Sequence, residues 1–512
     1  MAVVVCLFSA DRAVSAGPAT TSPATVAPAS APDVKTLVRQ LTGDDPAVRD
    51  QAFRAIIDTG DAALLASLDE ALADADRATR VAVKPVKDLL KNKLNLASDS
   101  EEARRSAAAD LGTSGQLSAV PWLEQAAAKE SSRWVRYAME ESAAVLQLTA
   151  GDEPAKIKAA SALGSLRSQN GLPALKDLAQ QLSGDAASGA AGKPVLLAAQ
   201  AAIDQIELWG TWSNVFETVF RGISLSSILL IMSLGLAIVF GLMGVINMAH
   251  GELMMVGAYA TFVTQELFRS YAPAGLFDSY FLVSMPVSFL VAGLCGLILE
   301  ATIIRFLYGR PLETMLATWG VSLVLIQAAR VYFGDLTAVT APAWLSGGVQ
   351  VMVGVYLPYN RLFIIVLSIL CVTGIYAVLF RSNLGLRVRA VTQNRNMSAC
   401  LGIPTRKVDA YTFAFGSGLA GLAGCALTLV GNVEPGLGQN YIVDSFMVVV
   451  TGGVGKLAGT IVAALGIGSL NKFLEPSFGA VYGKVLILVL VILFLQRRPS
   501  GLFAIKGRHA DS

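Results

Sequence analysis

Histidine is nearly missing from this chain: two occur in 512 residues, His250 and His509, the latter in the tail. No Ser/His/Asp or Cys/His set can be assembled from them, so no enzyme is indicated. Cysteine is scarce as well. The five, Cys6, Cys295, Cys371, Cys400 and Cys425, show no pairing pattern, and three sit in apolar runs where they read as small hydrophobes. Net charge is only +2, which offers no sign of a nucleic-acid partner. A nucleotide loop is lacking too. Gly452–Lys456 (GGVGK) has the outline of a P-loop, but Val450 stands where the first glycine belongs and Leu457 replaces the Ser/Thr. No cofactor is implied.

Apolar residues are what the chain has in excess. They make up 54% of it, with mean hydropathy +0.56, too apolar for a soluble protein. The excess is uneven. Residues 33–208 are rich in Ala, Asp, Glu, Lys and Arg, whereas 213–496 are rich in Leu, Val, Ile, Gly and Phe. A soluble domain (33–208) followed by a membrane domain (213–505) is expected. Ahead of both, AVVVCLFSA and Val14-Ser15-Ala16 predict a secretory leader, residues 1–16, though without the basic n-region of such leaders. Residues 17–32 form a Pro/Ala/Ser/Thr linker that cannot pack a core.

The soluble domain repeats. Gly60, Gly112 and Gly164 recur at an interval of 52, as do Pro121 and Pro173. Each unit offers about three helices; in the second they are expected at 101–111, 117–129 and 131–148, with Trp134, Tyr137, Ala138 and Val145 at helical spacing. Such units resemble HEAT or armadillo repeats, which stack and usually bind proteins; a plain helical domain is the alternative.

In the membrane domain Gly222–Ile246 is an uncharged run of 25 residues, long enough to span. Further runs are Leu253–Gln265, Tyr280–Leu299, Thr314–Ala329, Leu362–Phe380, Ala410–Val433, Ser445–Gly455, Leu457–Asn471 and Val485–Gln496. About eight spans are expected from them. With eight, Arg305, Arg310, the 381–407 loop, Lys456 and the tail (Arg497, Arg498, Lys506, Arg508) share one side, which the positive-inside rule makes cytoplasmic. The repeat domain then lies outside the inner membrane, as the leader also implies. The fold class is therefore all-α: a polytopic helix bundle preceded by an extracytoplasmic helical repeat domain.

Two polar breaks interrupt these runs: Asn247–Met248–Ala249–His250–Gly251–Glu252 and Asn432–Val433–Glu434–Pro435–Gly436. A carboxylate at membrane depth is costly and usually functional. Asn247, His250, Glu252, Asn432 and Glu434 are thus candidates for a translocation path or gate built on broken helices. Solvated residues at the interface are the plain alternative, and helix packing accounts for most of the glycines within the runs.

The remaining polar stretch, RVRAVTQNRNMSACLGIPT (Arg387–Thr405), is basic and pinned between two apolar runs. Its middle, about Asn394–Leu401, reads as a short helix capped by Asn394 and stopped by Gly402–Ile403–Pro404. A short helix at the membrane surface suits protein docking; an ordinary solvated loop is the alternative.

Together these residues resemble a family. VFGLMGVINMAHGELMMVGAYAT is similar to the first-span signature of the branched-chain amino acid type of ABC transporter permease, the LivH-like subunit, and RAVTQNRNMSACLGI to its cytoplasmic coupling loop. The likeness covers about residues 213–505. The long domain before it is more like the urea-type, UrtB-like branch. The resemblance implies a permease in membrane lipid, a LivM-like second permease subunit, two ABC ATPase subunits that hydrolyse the ATP, and a periplasmic solute-binding protein. It implies that Arg387, Arg389, Asn394, Met397, Ala399, Cys400, Leu401 and Gly402 form the ATPase-coupling surface, with Arg389 as an anchor. Urea is the expected solute, with branched-chain amino acids or short amides as alternatives. A passive urea or amide channel with an external interaction domain, and a membrane-tethered scaffold, are the competing classes.

Overall fold

A computed structural model describes residues 34–43, 45–59, 62–73, 75–185 and 192–503. The expected leader and linker, Cys6, Gly60, and the tail residues Lys506, Arg508 and His509 lie outside the described residues. The chain divides after Ala162 into two compact units.

The first unit is helical: α1 (Val34–Leu41), α2 (Pro46–Thr59), α3 (Ala62–Ala73), α4 (Arg77–Asn95), α5 (Glu101–Thr113), α6 (Val120–Lys129) and α7 (Arg133–Ala150), followed by α8 (Glu153–Leu166). The helices α5 to α7 fall close to the bounds expected for the second repeat. Ser100 caps α5 by accepting from the Ala103 N–H, and Glu101 and Glu102 complement its first turn. Leu111, Leu123, Met139 and Leu146 are fully buried between these helices. One ion pair ties the group together. Arg104 forks onto Glu130 at 2.7 and 3.1 Å while Glu130 also accepts from the Ser132 N–H at 2.9 Å.

The second unit holds α9 (Leu172–Asp185), α10 (Lys193–Ile238), α11 (His250–Tyr271), α12 (Tyr280–Thr302), α13 (Pro311–Phe333), the hairpin β1 (Gly348–Met352) and β2 (Val355–Pro358), α14 (Tyr359–Arg381), α15 (Asn383–Gln393), α16 (Arg395–Cys400), α17 (Thr405–Leu427), α18 (Leu437–Gly452) and α19 (Leu457–Arg497). Helices α10 and α17 are the most enclosed, and α12, α13, α14 and α19 turn much of their apolar surface outward. Small residues let the buried pair meet its neighbours closely: Ser288 and Ala292 of α12 and Met254 and Ala258 of α11 lie against the backbone of α17. The largest apolar cluster, including Ile231, Leu253, Phe281, Ile364 and Ala423, joins these layers.

Among the described residues six helices are long and apolar enough to cross a membrane by length and composition, against the eight or so expected. Particular elements make the difference. The helix α11 opens on His250–Gly251–Glu252, and α18 has 16 residues. The two last apolar runs fall on one helix, α19, which is broken at Gly479 (φ 77°). Gly483 lies against Leu474 and Glu475, and the Leu502 N–H reaches the Thr451 carbonyl at 2.8 Å just ahead of α19. The two limbs of α19 therefore run antiparallel, and the chain returns to the level where α19 began.

The unit has two distinct ends. At one, the Trp209 indole donates to Val353 of the hairpin, and Thr337 and Val433 pair as an isolated bridge. At the other lie the 381–407 segment, Tyr308 and Lys456.

Candidate translocation and coupling sites

Near its second end α10 loosens into one π-helical turn, Val239–Met243, and closes on Gly244 in the left-handed region (φ 69°). Residues 244–249 then double back. The His250 Nε2 lies 3.2 Å from the Met232 carbonyl, some two turns up the helix that the chain has just left. Since a carbonyl only accepts, Nε2 carries the proton of that bond. Helix α11 thus begins inside the bundle rather than at its surface.

Asn247, His250 and Glu252 are all buried there. The Asn247 Oδ1 accepts from the Ala249 N–H at 3.0 Å, folding the turn that starts α11. The Met248 N–H donates to the Thr318 hydroxyl at 3.1 Å, and Ser322, one turn further along α13, lies close to the Glu252 carboxyl. Thr314, Thr318 and Ser322 form a buried polar line on α13, spaced by four and facing the break. Three polar atoms of the break, Asn247 Nδ2, His250 Nδ1 and Glu252 Oε2, have no protein partner in reach. Buried groups of this kind normally have one. The start of α18 meets the start of α11 at the same level. A Cβ on Gly251 would collide with the Gly438 backbone, so only glycine allows this approach.

Glu434 and Asn432 sit elsewhere, at the hairpin end. Val433 between them pairs with Thr337, Asn432 is exposed, and the Glu434 carboxylate accepts from the Asn440 side-chain amide at 3.0 Å. The structure gathers the first trio into one cluster and leaves this pair apart from it. Between the two lies Tyr259, on the same face of α11 as Glu252, stacked on Phe333 and within electrostatic range of Glu434.

At the opposite end the short helix α16 forms where Asn394 and Gly402 place it. The Asn394 side chain accepts from the Met397 N–H at 2.9 Å, and Gly402 takes φ 81° as the helix ends. Met397, Ala399, Cys400, Leu401 and Gly402 are exposed, and Ser398 is buried beneath them. Arg387 is exposed on α15, whereas the Arg389 guanidinium turns over the Phe380 ring, 5.2 Å from its centroid.

The sequence reading passed over the links between these two sites. Arg395 at the start of α16 pairs with the buried Asp409 of α17 at 2.6 Å and lies over the Tyr308 ring at 4.1 Å. The Tyr308 hydroxyl donates to the Met243 carbonyl at 3.2 Å, and the Thr392 hydroxyl lies 3.2 Å from the Leu242 carbonyl. Both touch the π-turn from which the break begins. The fourfold spacing of Thr314, Thr318 and Ser322 was a usable sequence signal; Tyr308 carried none, because its partners are distant in the chain.

Comparison with known proteins agrees with this architecture. Residues 218–495 match the family model described as branched-chain amino acid transport system/permease component. The chain is 31% identical over 298 residues to the high-affinity branched-chain amino acid transport system permease protein BraD of Pseudomonas aeruginosa, covering 56% of this chain and 95% of that protein. To the LivH permease protein of Salmonella typhimurium it is 26% identical over 301 residues, covering 56% and 94%. To the probable LivH of Methanocaldococcus jannaschii it is 25% identical over 299 residues, covering 54% and 89%. No solved structure matches the chain. The broken first span, the basic surface helix and a match that runs nearly the full length of these relatives lead to one conclusion: the chain belongs to the branched-chain amino acid transport system permease family, as a multi-pass membrane permease component.

Proposed function

We propose that this chain is one permease subunit of an ATP-driven importer for branched-chain amino acids. It would work with a second permease, two ATPase subunits that dock on α15 and α16, and a periplasmic binding protein. The α16 end faces the cytoplasm in this reading, and the hairpin end and the N-terminal unit face the periplasm. The single observation that carries it is the exposed apolar face of α16, Met397 and Leu401, tied through Arg395 and Tyr308 to the π-turn ahead of the break.

Coupling is then mechanical. ATPase closure shifts α16; Arg395–Tyr308–Met243 and Thr392–Leu242 pass the shift to Val239–Met243. The break at residues 244–249 absorbs it, and His250 and Glu252 are re-presented at the head of α11. A π-turn and a non-helical stretch suit this role, because they carry fewer regular hydrogen bonds to break than an intact helix. The line Thr318, Ser322, Glu252, Tyr259 offers hydrogen bonds to a zwitterionic or neutral solute along its path.

Urea remains a second reading, favoured by one observation: the relatives are used up almost entirely by about half of this chain, so the N-terminal unit is an addition to their plan. The test is solute-stimulated ATPase activity of the assembled complex in liposomes. Stimulation by leucine and not urea supports the proposal, and stimulation by urea alone moves the protein to the other branch. Solute leaking down its gradient without ATP would overturn the coupling role of α16.

A further inference from the structure

A cavity of about 460 Å³ opens on the side of the second unit, between α10, α14 and α19. Its wall is apolar: Leu234 and Ile238 of α10, Val372 and Leu379 of α14, and Ile461 of α19. Two cations complete it, Arg389 and Lys456, and both belong to the α16 end. Tyr376 and Phe380, each about half exposed, form its outer rim. The lining on α10 and its π-turn runs from Leu234 to Leu242, about 12 Å at 1.5 Å per residue, close to the ~15 Å depth of one leaflet.

The charges are placed for a ligand outside the chain. Arg389 is held at the mouth by the Phe380 ring, itself part of the wall. Among the described residues neither Arg389 nor Lys456 pairs with a carboxylate, although the neighbouring Arg395 does. An apolar slot one leaflet deep, closed at its surface end by two unpaired cations, matches one kind of molecule: acyl chain within, anionic headgroup at the mouth.

We propose that this cavity binds an anionic glycerophospholipid of the leaflet at the α16 end, with Lys456 and Arg389 holding its phosphate. Leu242 of the π-turn and Arg389 of α15 both line the site, so the lipid contacts the two elements on which coupling depends. The leaflet assignment rests on the cytoplasmic placement of α16 proposed above; the binding itself does not.

The test is to purify the complex from membranes containing phosphatidylglycerol and phosphatidylcholine, wash it in detergent, and count each retained lipid by mass spectrometry. Phosphatidylglycerol retention is expected to fall at least threefold in Arg389→Gln/Lys456→Gln, with phosphatidylcholine unchanged. Ala458→Phe, which fills the slot and keeps both charges, should lower it as well. Equal retention in wild type and both variants overturns the proposal. So does efficient cross-linking of Tyr376→Cys to the partner permease, which would show protein covering the slot. Lipid counts are read without ATP or solute, so absence of stimulation in a wild-type complex that retains phosphatidylglycerol is a failure of the coupling reading alone.

Discussion

At the residue scale, a few side chains carry distinct tasks that substitution can separate. Tyr308→Phe keeps the ring under Arg395 and removes the hydrogen bond to the Met243 carbonyl. A bond of this kind contributes about 1 kcal/mol. The solute-stimulated ATPase factor should therefore fall by up to about fivefold, with assembly unchanged by gel filtration. Ser322→Ala removes a hydroxyl close to the buried Glu252 carboxyl, which has one oxygen without a protein partner. A loss of about 1–3 kcal/mol in stability is expected, read as a lower melting temperature of the purified protein. Asn247, His250 and Glu252 were visible in the sequence because polar residues stand out in an apolar run. Tyr308 and Asp409 were not, since their importance arises only when the α12–α13 connection, α16 and α17 meet.

Elements were legible where one physical signal dominated. The capping asparagine and the stopping glycine defined α16. Long uncharged runs located α12, α14 and α17. The sequence was ambiguous where two signals competed. At α10 the apolar run merges with a polar helix that continues it without a stop, so the helix starts far ahead of the run. In α19 two runs separated by polar residues prove to be limbs of one folded-back element. Its turn gives a sharp prediction. Gly479 has φ 77° and ψ 164°, a region open essentially to glycine, while nothing lies within 4 Å of where a Cβ would stand. Gly479→Ala should cost about 1–3 kcal/mol from backbone strain alone, with no steric term. Gly251→Ala is the converse. Its backbone is ordinary, but the methyl would push α11 from α18, and a loss of about 1–3 kcal/mol from overpacking is expected. Paired thermal melts distinguish the two, because only the second variant should also alter accessibility of a thiol placed at Leu437.

At the scale of the whole molecule, the two units are held together by different interactions. The first depends on Arg104 and Glu130. Hydrogen bonding to Arg104 holds the Glu130 carboxyl below its ordinary value of 4.5. A depressed carboxylate adds stability that is fully present above that ordinary value and is lost as pH falls through the lower folded value. Hydrogen-exchange protection of α5 and α7 in the full chain should therefore be flat from pH 7 to 5 and decline below about pH 4. Glu130→Gln should reduce protection at pH 7 and flatten that decline. The second unit gains its cohesion from close helix contact.

The length of α10 has a further consequence. Its 46 residues make a rod of about 69 Å, more than twice the ~30 Å hydrocarbon core. The portion ahead of Val215 alone extends about 33 Å. A tilt of about 10° at the membrane would swing its far tip by about 6 Å. The rod is thus a built-in pointer: a spin or fluorescent label near Leu197 would magnify, outside the bilayer, each small rearrangement of the first span within it.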